Sequence, residues 1–107
     1  MKTWELQYSA GYGAYDWSEF GIVDVDVTDE EYALIRKNIK EGVDLNTVEA
    51  LKPIIDREYE NVKEICRSQI VLDECTKKYV DETKDIFEQG FEIVVEFVNK
   101  LDFMLED

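Results

Sequence analysis

Two early stretches of the chain alternate between apolar and polar residues. Residues 3–9 and 19–28 each carry an apolar side chain at every second position, which is the period of a strand with one buried face. The loop between them contains Gly11 and Gly13, which favour tight turns. The pattern therefore predicts an antiparallel β-hairpin. Its core-facing positions are Trp4, Leu6 and Tyr8 in the first strand and Val23, Val25 and Val27 in the second.

The residues that follow the hairpin carry the signals of a helix. Thr28 and Glu31 match a capping box, in which each residue binds the backbone N–H of the other. This predicts a helix over about 29–41, ending at Gly42. Asn46 opens a second cap signature, which predicts a short turn before the next helix.

Apolar residues then recur at spacings of three and four, which is the helical period. The pattern predicts a helix over about 53–71, with Pro53 in its first turn, where a proline is tolerated. The phase breaks near Asp73, which is a good N-cap residue. A third helix is therefore predicted over about 74–88.

The C-terminal part of the chain fits two interpretations. Residues 91–98 are rich in β-branched and aromatic side chains and follow Gly90, which favours a third strand. Their apolar positions also recur at helical spacing, so a single amphipathic helix over 74–105 is the alternative. The strand is preferred because an isolated two-stranded hairpin is only marginally stable. The sequence thus predicts an α+β fold in one domain, residues 1–107.

The charge of the chain is unevenly distributed. The net charge is −14, and residues 3–35 hold eight acids and no base. Residues 85–107 hold seven acids and one base, whereas residues 36–84 are nearly balanced, with eleven acids and ten bases. If residues 91–98 join the hairpin, the two acidic segments share one sheet and form a localised negative patch.

Composition excludes several functions. The chain has no His, which excludes His-based catalysis and His metal ligation. No apolar run reaches the roughly 18 residues of a membrane span, and the first residues lack the apolar core of a signal peptide, so a cytoplasmic protein without membrane contact is expected. The spacing of Cys66 and Cys75 disfavours a disulfide, and both are expected to be small buried apolar residues. No cofactor motif is present.

One group of carboxylates has the chemistry of a metal site. Asp24 and Asp26 share a strand face about 7 Å apart, and Asp29 follows closely in the sequence. Such oxygen ligands suit Mg²⁺ or Ca²⁺. The motif lacks the glycine and the distal Glu of a calcium-binding loop. A solvated strand face with a helix-capping acid explains the same residues, so no metal is predicted.

The loop between the first two strands is rich in aromatic residues. Tyr12 and Tyr15 lie beside its glycines and suit a binding loop, because tyrosine gives a large contact area at little cost in entropy. They suit structural packing equally well. Trp17 and Phe20 are expected instead to cover the end of the core.

These patterns predict a small acidic, non-enzymatic interaction module that docks a negative face on a basic partner surface. Its sharpest form is an inhibitor that imitates nucleic acid charge and blocks a nucleic-acid-binding or defence protein. A divalent-metal-dependent protein, or an acidic housekeeping domain or homodimer, are the alternatives. Direct binding to nucleic acid is disfavoured by the negative charge. The predicted partner-binding residues are Tyr12, Tyr15, Asp16, Glu19, Asp24 and Asp26.

Overall fold

The described part of the chain contains three antiparallel strands and three α-helices. The computed structural model describes residues 2–13 and 17–99, apart from the side chain of Trp17. The strands are β1 (Lys2–Tyr12), β2 (Trp17–Val27) and β3 (Phe91–Phe97). The α-helices are α1 (Asp29–Lys40), α2 (Lys52–Gln69) and α3 (Glu74–Lys77), and 3₁₀ helices occur at Leu45–Thr47, Glu49–Leu51 and Ile86–Glu88.

The sheet has the order β2-β1-β3, with β1 in the middle. In its register, Leu6 is opposite Val23 on one side and Phe97 on the other. The predicted α+β fold, hairpin and third strand are therefore confirmed. Strand β1 is longer than the predicted 3–9, and β2 begins before the predicted 19–28 but ends one residue earlier, at Val27. The far end of β1 is also held by pairing with the start of β3.

One face of the sheet, called the inner face from here on, packs against α1 and α2. Every second residue of β1 from Trp4 to Ala10 is buried there. A fully buried large apolar side chain contributes about 1.5–3 kcal/mol, so this layer is the main source of stability. The side chains of α1 and α2 with no exposed surface in this layer are Ile35, Ile54, Val62 and Cys66.

Local signals set both ends of α1. The Thr28 hydroxyl accepts the Glu31 N–H at 3.1 Å, and the Glu31 carboxylate accepts the Thr28 N–H at 2.8 Å. At the other end Gly42 has φ +73°, and the N–H of Val43 donates to the carbonyl of Asn38 at 2.9 Å. That bond is characteristic of a Schellman motif, which favours glycine at this position. The predicted limits of α1 are confirmed.

The predicted capping role of Asn46 is wrong. Asp44 caps the first 3₁₀ helix instead, accepting the N–H of Asn46 at 3.0 Å. The Asn46 side chain lies against β3, where its oxygen accepts the N–H of Phe97 at 2.7 Å and its NH₂ donates to the carbonyl of Phe97 at 3.3 Å. Local sequence could not reveal this role, because the partner is 51 residues away.

The third predicted helix is much shorter than 74–88. Asp73 caps it as predicted, accepting the N–H of Thr76 at 2.7 Å, but the helix ends at Lys77. Beyond it, acidic side chains accept backbone N–H groups two residues ahead, a local bond that competes with helix formation. These pairs are Asp81 with Thr83, and Asp85 with Phe87.

The alternative of one helix over 74–105 is wrong for residues 91–97, which form β3. Gly90 leads into this strand with φ +94°, a conformation that other residues rarely adopt. Phe91 and Phe97 are buried on the inner face. The helical spacing also depended on residues 101–105, which lie outside the described residues.

Cys66 and Cys75 are both free thiols. Cys66 is buried as predicted, whereas Cys75 is exposed, which corrects the expectation that both are buried. Cys75 lies on α3, whose buried residue is its neighbour Thr76. Within the described ranges, no helix has the length and apolar character to cross a membrane.

Candidate binding surface

The second face of the sheet, called the outer face from here on, lies opposite the inner face. Successive side chains of a strand point to opposite faces, so the register identifies its members. Most of them are exposed, and they include five acids and no Lys or Arg. The outer face consists of Thr3, Glu5, Gln7, Ser9 and Gly11 from β1, Ser18, Phe20, Ile22, Asp24 and Asp26 from β2, and Glu92, Val94 and Glu96 from β3.

The middle of the outer face is apolar. Phe20 is 82% exposed, Ile22 59% and Val94 51%. Ser9 lies between Phe20 and Val94 in the register, so the three apolar side chains surround the centre of the sheet. They line a shallow groove of about 310 Å³. Exposed apolar side chains grouped beside a groove and rimmed by polar residues make this part of the sheet a candidate interaction site.

Acids flank this apolar centre. Glu5 is directly opposite Asp24 in the register, and Glu96 lies opposite Gln7. Like charges directly opposite each other on neighbouring strands are destabilising. The Glu5–Asp24 position therefore brings two acids to one point of the outer face.

The structure separates the residues that were predicted to bind a partner. Asp24 and Asp26 lie together on the outer face. Tyr12 lies on the inner side, where its ring stacks on Phe91 with the ring centroids 4.4 Å apart. Its position suits packing at the end of the sheet. Tyr15 and Asp16 lie outside the described residues.

Glu19 also lies on the inner face, opposite Ala10. Burial raises the pKa of the Cys66 thiol, and the negative charge of Glu19 raises it further. Burial likewise raises the pKa of Tyr8, whose hydroxyl donates to the side-chain oxygen of Gln69 at 2.5 Å. Glu19 thus belongs to the polar edge of the core and cannot share one flat partner surface with the outer-face acids.

The carboxylates considered for metal binding do not converge. Asp24 and Asp26 lie on the outer face, whereas Asp29 is in the first turn of α1. Among residues 2–13 and 17–99, no three acids or thiols group closely enough to hold an ion. Asp29 instead suits the positive end of the helix dipole.

A cluster of charged groups holds the end of β2 to the helices. Arg57 of α2 donates to the Glu31 carboxylate at 3.1 Å and to the carbonyl of Asp26 at 3.1 Å. These hydrogen bonds from Arg57 are the main reason that the pKa of Glu31 lies below its ordinary value. Because these groups bind one another, this corner has a structural role.

Sequence reasoning missed the apolar part of the outer face. Phe20 was expected to cover the end of the core, and its 82% exposure shows that this is wrong. The signal was present, because Phe20 lies two residues before Ile22, which the alternation had placed opposite the core. Val94 needed knowledge of the third strand and its register.

No protein-family model, no curated protein and no solved structure matches the chain.

Proposed function

We propose that this chain is a non-enzymatic interaction module whose outer face binds a partner protein with a basic surface. The supporting observation is the composition of that face, with five acids around an exposed apolar centre and no base. Charge of one sign steers an oppositely charged partner to the surface. The apolar centre then supplies contact area, at about 25 cal/mol per Å² buried.

The composition of the outer face indicates which side chains a partner would present to it. Lys and Arg side chains of the partner pair with Asp24, Asp26 and Glu96, while apolar side chains cover Phe20 and Ile22. A surface that only imitates nucleic acid needs negative charge along its whole length, and here the centre is apolar. A nucleic-acid-mimicking inhibitor is the special case in which the basic surface belongs to a nucleic-acid-binding groove.

Neutralising two acids of the outer face tests the role of its charge. A chain with Asp24→Asn and Asp26→Asn should bind a partner recovered on the immobilised wild-type chain about tenfold more weakly, a loss of about 1.4 kcal/mol. Titration of the purified partner by calorimetry, at low and at high salt, measures this. The double variant should stay folded, because Asp24 and Asp26 are exposed on the outer face.

A matched control changes the same charge elsewhere. Glu60→Gln with Glu82→Gln removes two exposed acids outside the sheet. This control should bind like the wild type, within about twofold. Equal affinity of the two double variants would show that only the net charge matters, and the outer face would then be rejected as the binding surface.

Phe20→Ala should weaken binding without changing its dependence on salt.

A further inference from the structure

The direction of the backbone groups in β1 follows from one hydrogen bond at its edge. The carbonyl of Glu5 accepts the N–H of Val98 at 3.1 Å, so the backbone groups of Glu5 face β3. Alternate residues of a central antiparallel strand bind opposite neighbours. The backbone groups of Leu6 and Tyr8 therefore face β2.

The same alternation fixes the outer edge of β2. Val23, opposite Leu6, directs its backbone groups toward β1, so those of Phe20, Ile22 and Asp24 point away from the sheet. The carbonyl of Asp26 has the same direction, as its hydrogen bond from Arg57 shows. Within the described ranges, no hydrogen bond reaches the outward backbone groups of residues 20, 22 and 24.

Each edge of the sheet is occupied at one end, and the β2 edge is the longer, with 11 residues against 7 in β3. At the β3 edge, the Asn46 side chain occupies both outward backbone groups of Phe97. The β2 edge pairs with β1 residue by residue over 11 positions and contains no Lys or Pro. Natural edge strands usually carry Lys, Pro or a bulge that prevents pairing with another strand. Acidic side chains are the remaining protection in β2, and they repel acidic but not basic segments.

We propose that the edge of β2 from Ser18 to Asp24 accepts an extended segment of the basic partner as a fourth strand. This rests on the proposed function and specifies how the partner binds. Backbone hydrogen bonds give a strand-addition complex its affinity, and alternate side chains give it specificity. On the outer face, the added strand places Lys or Arg beside Asp24 and apolar side chains beside Phe20 and Ile22. A second copy of this chain fits less well, because it brings another net charge of −14.

The probe is a synthetic peptide long enough to pair with Ser18–Asp24, with Val and Lys placed to face the apolar and acidic side chains of β2. In the free chain, the amides of Phe20, Ile22 and Asp24 should exchange with solvent quickly, whereas that of Val23 is protected by β1. The peptide should protect Ile22 and Asp24 by about tenfold or more at saturation. The measurement is residue-resolved hydrogen exchange.

Two variants of Ile22 and a modified peptide test the backbone pairing itself. Ile22→Pro removes an N–H that faces away from β1, a position where an edge strand tolerates proline. It should weaken peptide binding by about tenfold, since the partner carbonyl is left without a donor. Ile22→Ala, which keeps the N–H, should weaken it only about twofold. The same peptide N-methylated along its pairing edge should not bind.

The outcomes separate this inference from the proposed function. Binding of the N-methylated peptide, or no protection of Ile22 and Asp24, overturns strand addition and leaves outer-face docking in place. Protection of Ile22 that rises with the concentration of the chain alone identifies a second copy as the occupant and also overturns it. If Asp24→Asn with Asp26→Asn leaves partner binding unchanged, the proposed function fails as well.

Discussion

At the scale of single residues, Gly21 is the position of β2 that cannot carry a side chain. A Cβ there would lie 2.5 Å from the hydroxyl oxygen of Tyr8 and 2.6 Å from its Cζ. The Tyr8 side chain crosses β2 at this point and reaches Gln69 of α2, to which its hydroxyl donates. The close approach of Tyr8 to Gly21 thus links the centre of the sheet to the end of α2.

Gly21→Ala should therefore displace Tyr8 and lower the free energy of unfolding by about 1–3 kcal/mol. Urea denaturation measures the change. Gly13→Ala is the control and should change the stability little, because no atom lies within 4 Å of its Cβ position. In a chain that already carries Tyr8→Val, Gly21→Ala should lower the free energy of unfolding by less. An equal loss in the two backgrounds would contradict the role of the Tyr8 contact.

Strand parity decides the face of every sheet residue, and the sequence contains this information. Alternation was sufficient to place Asp24 and Asp26 away from the core. The prediction for Phe20 failed because the preference of aromatic side chains for burial was given more weight than the period. A shift of one residue reverses the face of each side chain, so the period is the stronger guide once one face is buried. By the same rule, Glu19 belongs to the inner face.

At the scale of elements, the start of α1 and the end of β2 are held by one carboxylate. Glu31 accepts the N–H of Thr28 within the capping box and also binds Arg57 of α2. Arg57 in turn donates to the carbonyl of Asp26, the last outward-facing residue of β2. Neutralising Glu31 should therefore weaken the junction of these three elements.

This junction predicts a pH dependence for Glu31→Gln. The folded-state pKa of Glu31 lies below its ordinary value of 4.5, chiefly because Arg57 binds the carboxylate. The stabilisation is therefore present above that ordinary value and is lost as the pH falls through the lowered pKa. The difference in unfolding free energy between wild type and variant should be largest at neutral pH and should disappear in acid.

Urea unfolding of both proteins across this pH range measures the gap. The amide introduced by Glu31→Gln keeps a side-chain oxygen for the N–H of Thr28, so the variant removes mainly the ion pair with Arg57. Glu60→Gln, an exposed change on α2, is the control and should show a small gap at every pH. A gap for Glu31→Gln that does not change with pH would contradict the role assigned to its charge.

The limits of α1 depend on local bonds and were predicted accurately, whereas the role of Asn46 depends on a distant contact and was not predicted. The capping box and Gly42 are neighbours in the sequence of the helix they limit, so α1 was predicted accurately. The binding of Asn46 to β3 depends on a partner 51 residues away. The early end of α3 reflects turn-forming acids whose preference over helix was not apparent from periodicity alone.

At the scale of the whole molecule, folding concentrates the negative charge. Three acids from residues 3–35 (Glu5, Asp24 and Asp26) and two from β3 (Glu92 and Glu96) meet on the outer face, while most bases of the described residues lie on or near the helices. A net charge of −14 opposes the compact state through self-repulsion. The same charge attracts a basic partner, so one property has opposite effects on stability and on binding.

Salt should separate these two effects. Raising NaCl from low to physiological concentration shortens the screening length to about 8 Å. The melting temperature should then rise by about 4–8 °C for each ~1 kcal/mol of repulsion removed, while partner affinity falls. Calorimetric melting and binding titrations in the same buffers measure both. In the variant with Asp24→Asn and Asp26→Asn, salt should change both the melting temperature and the partner affinity less than in the wild type. An equal dependence on salt in the two proteins would contradict this explanation.

The division of the sheet into two faces has a consequence for how this surface can change. The core residues of β1, β2 and β3 all lie on the inner face, and the outer-face residues do not pack into the core. The outer-face residues can therefore be substituted while the inner-face residues keep the fold. Such changes could introduce a new binding surface by design, or adapt the surface to a changing partner in evolution. Evolution of this kind would leave substitutions at every second position of each strand, on the outer face.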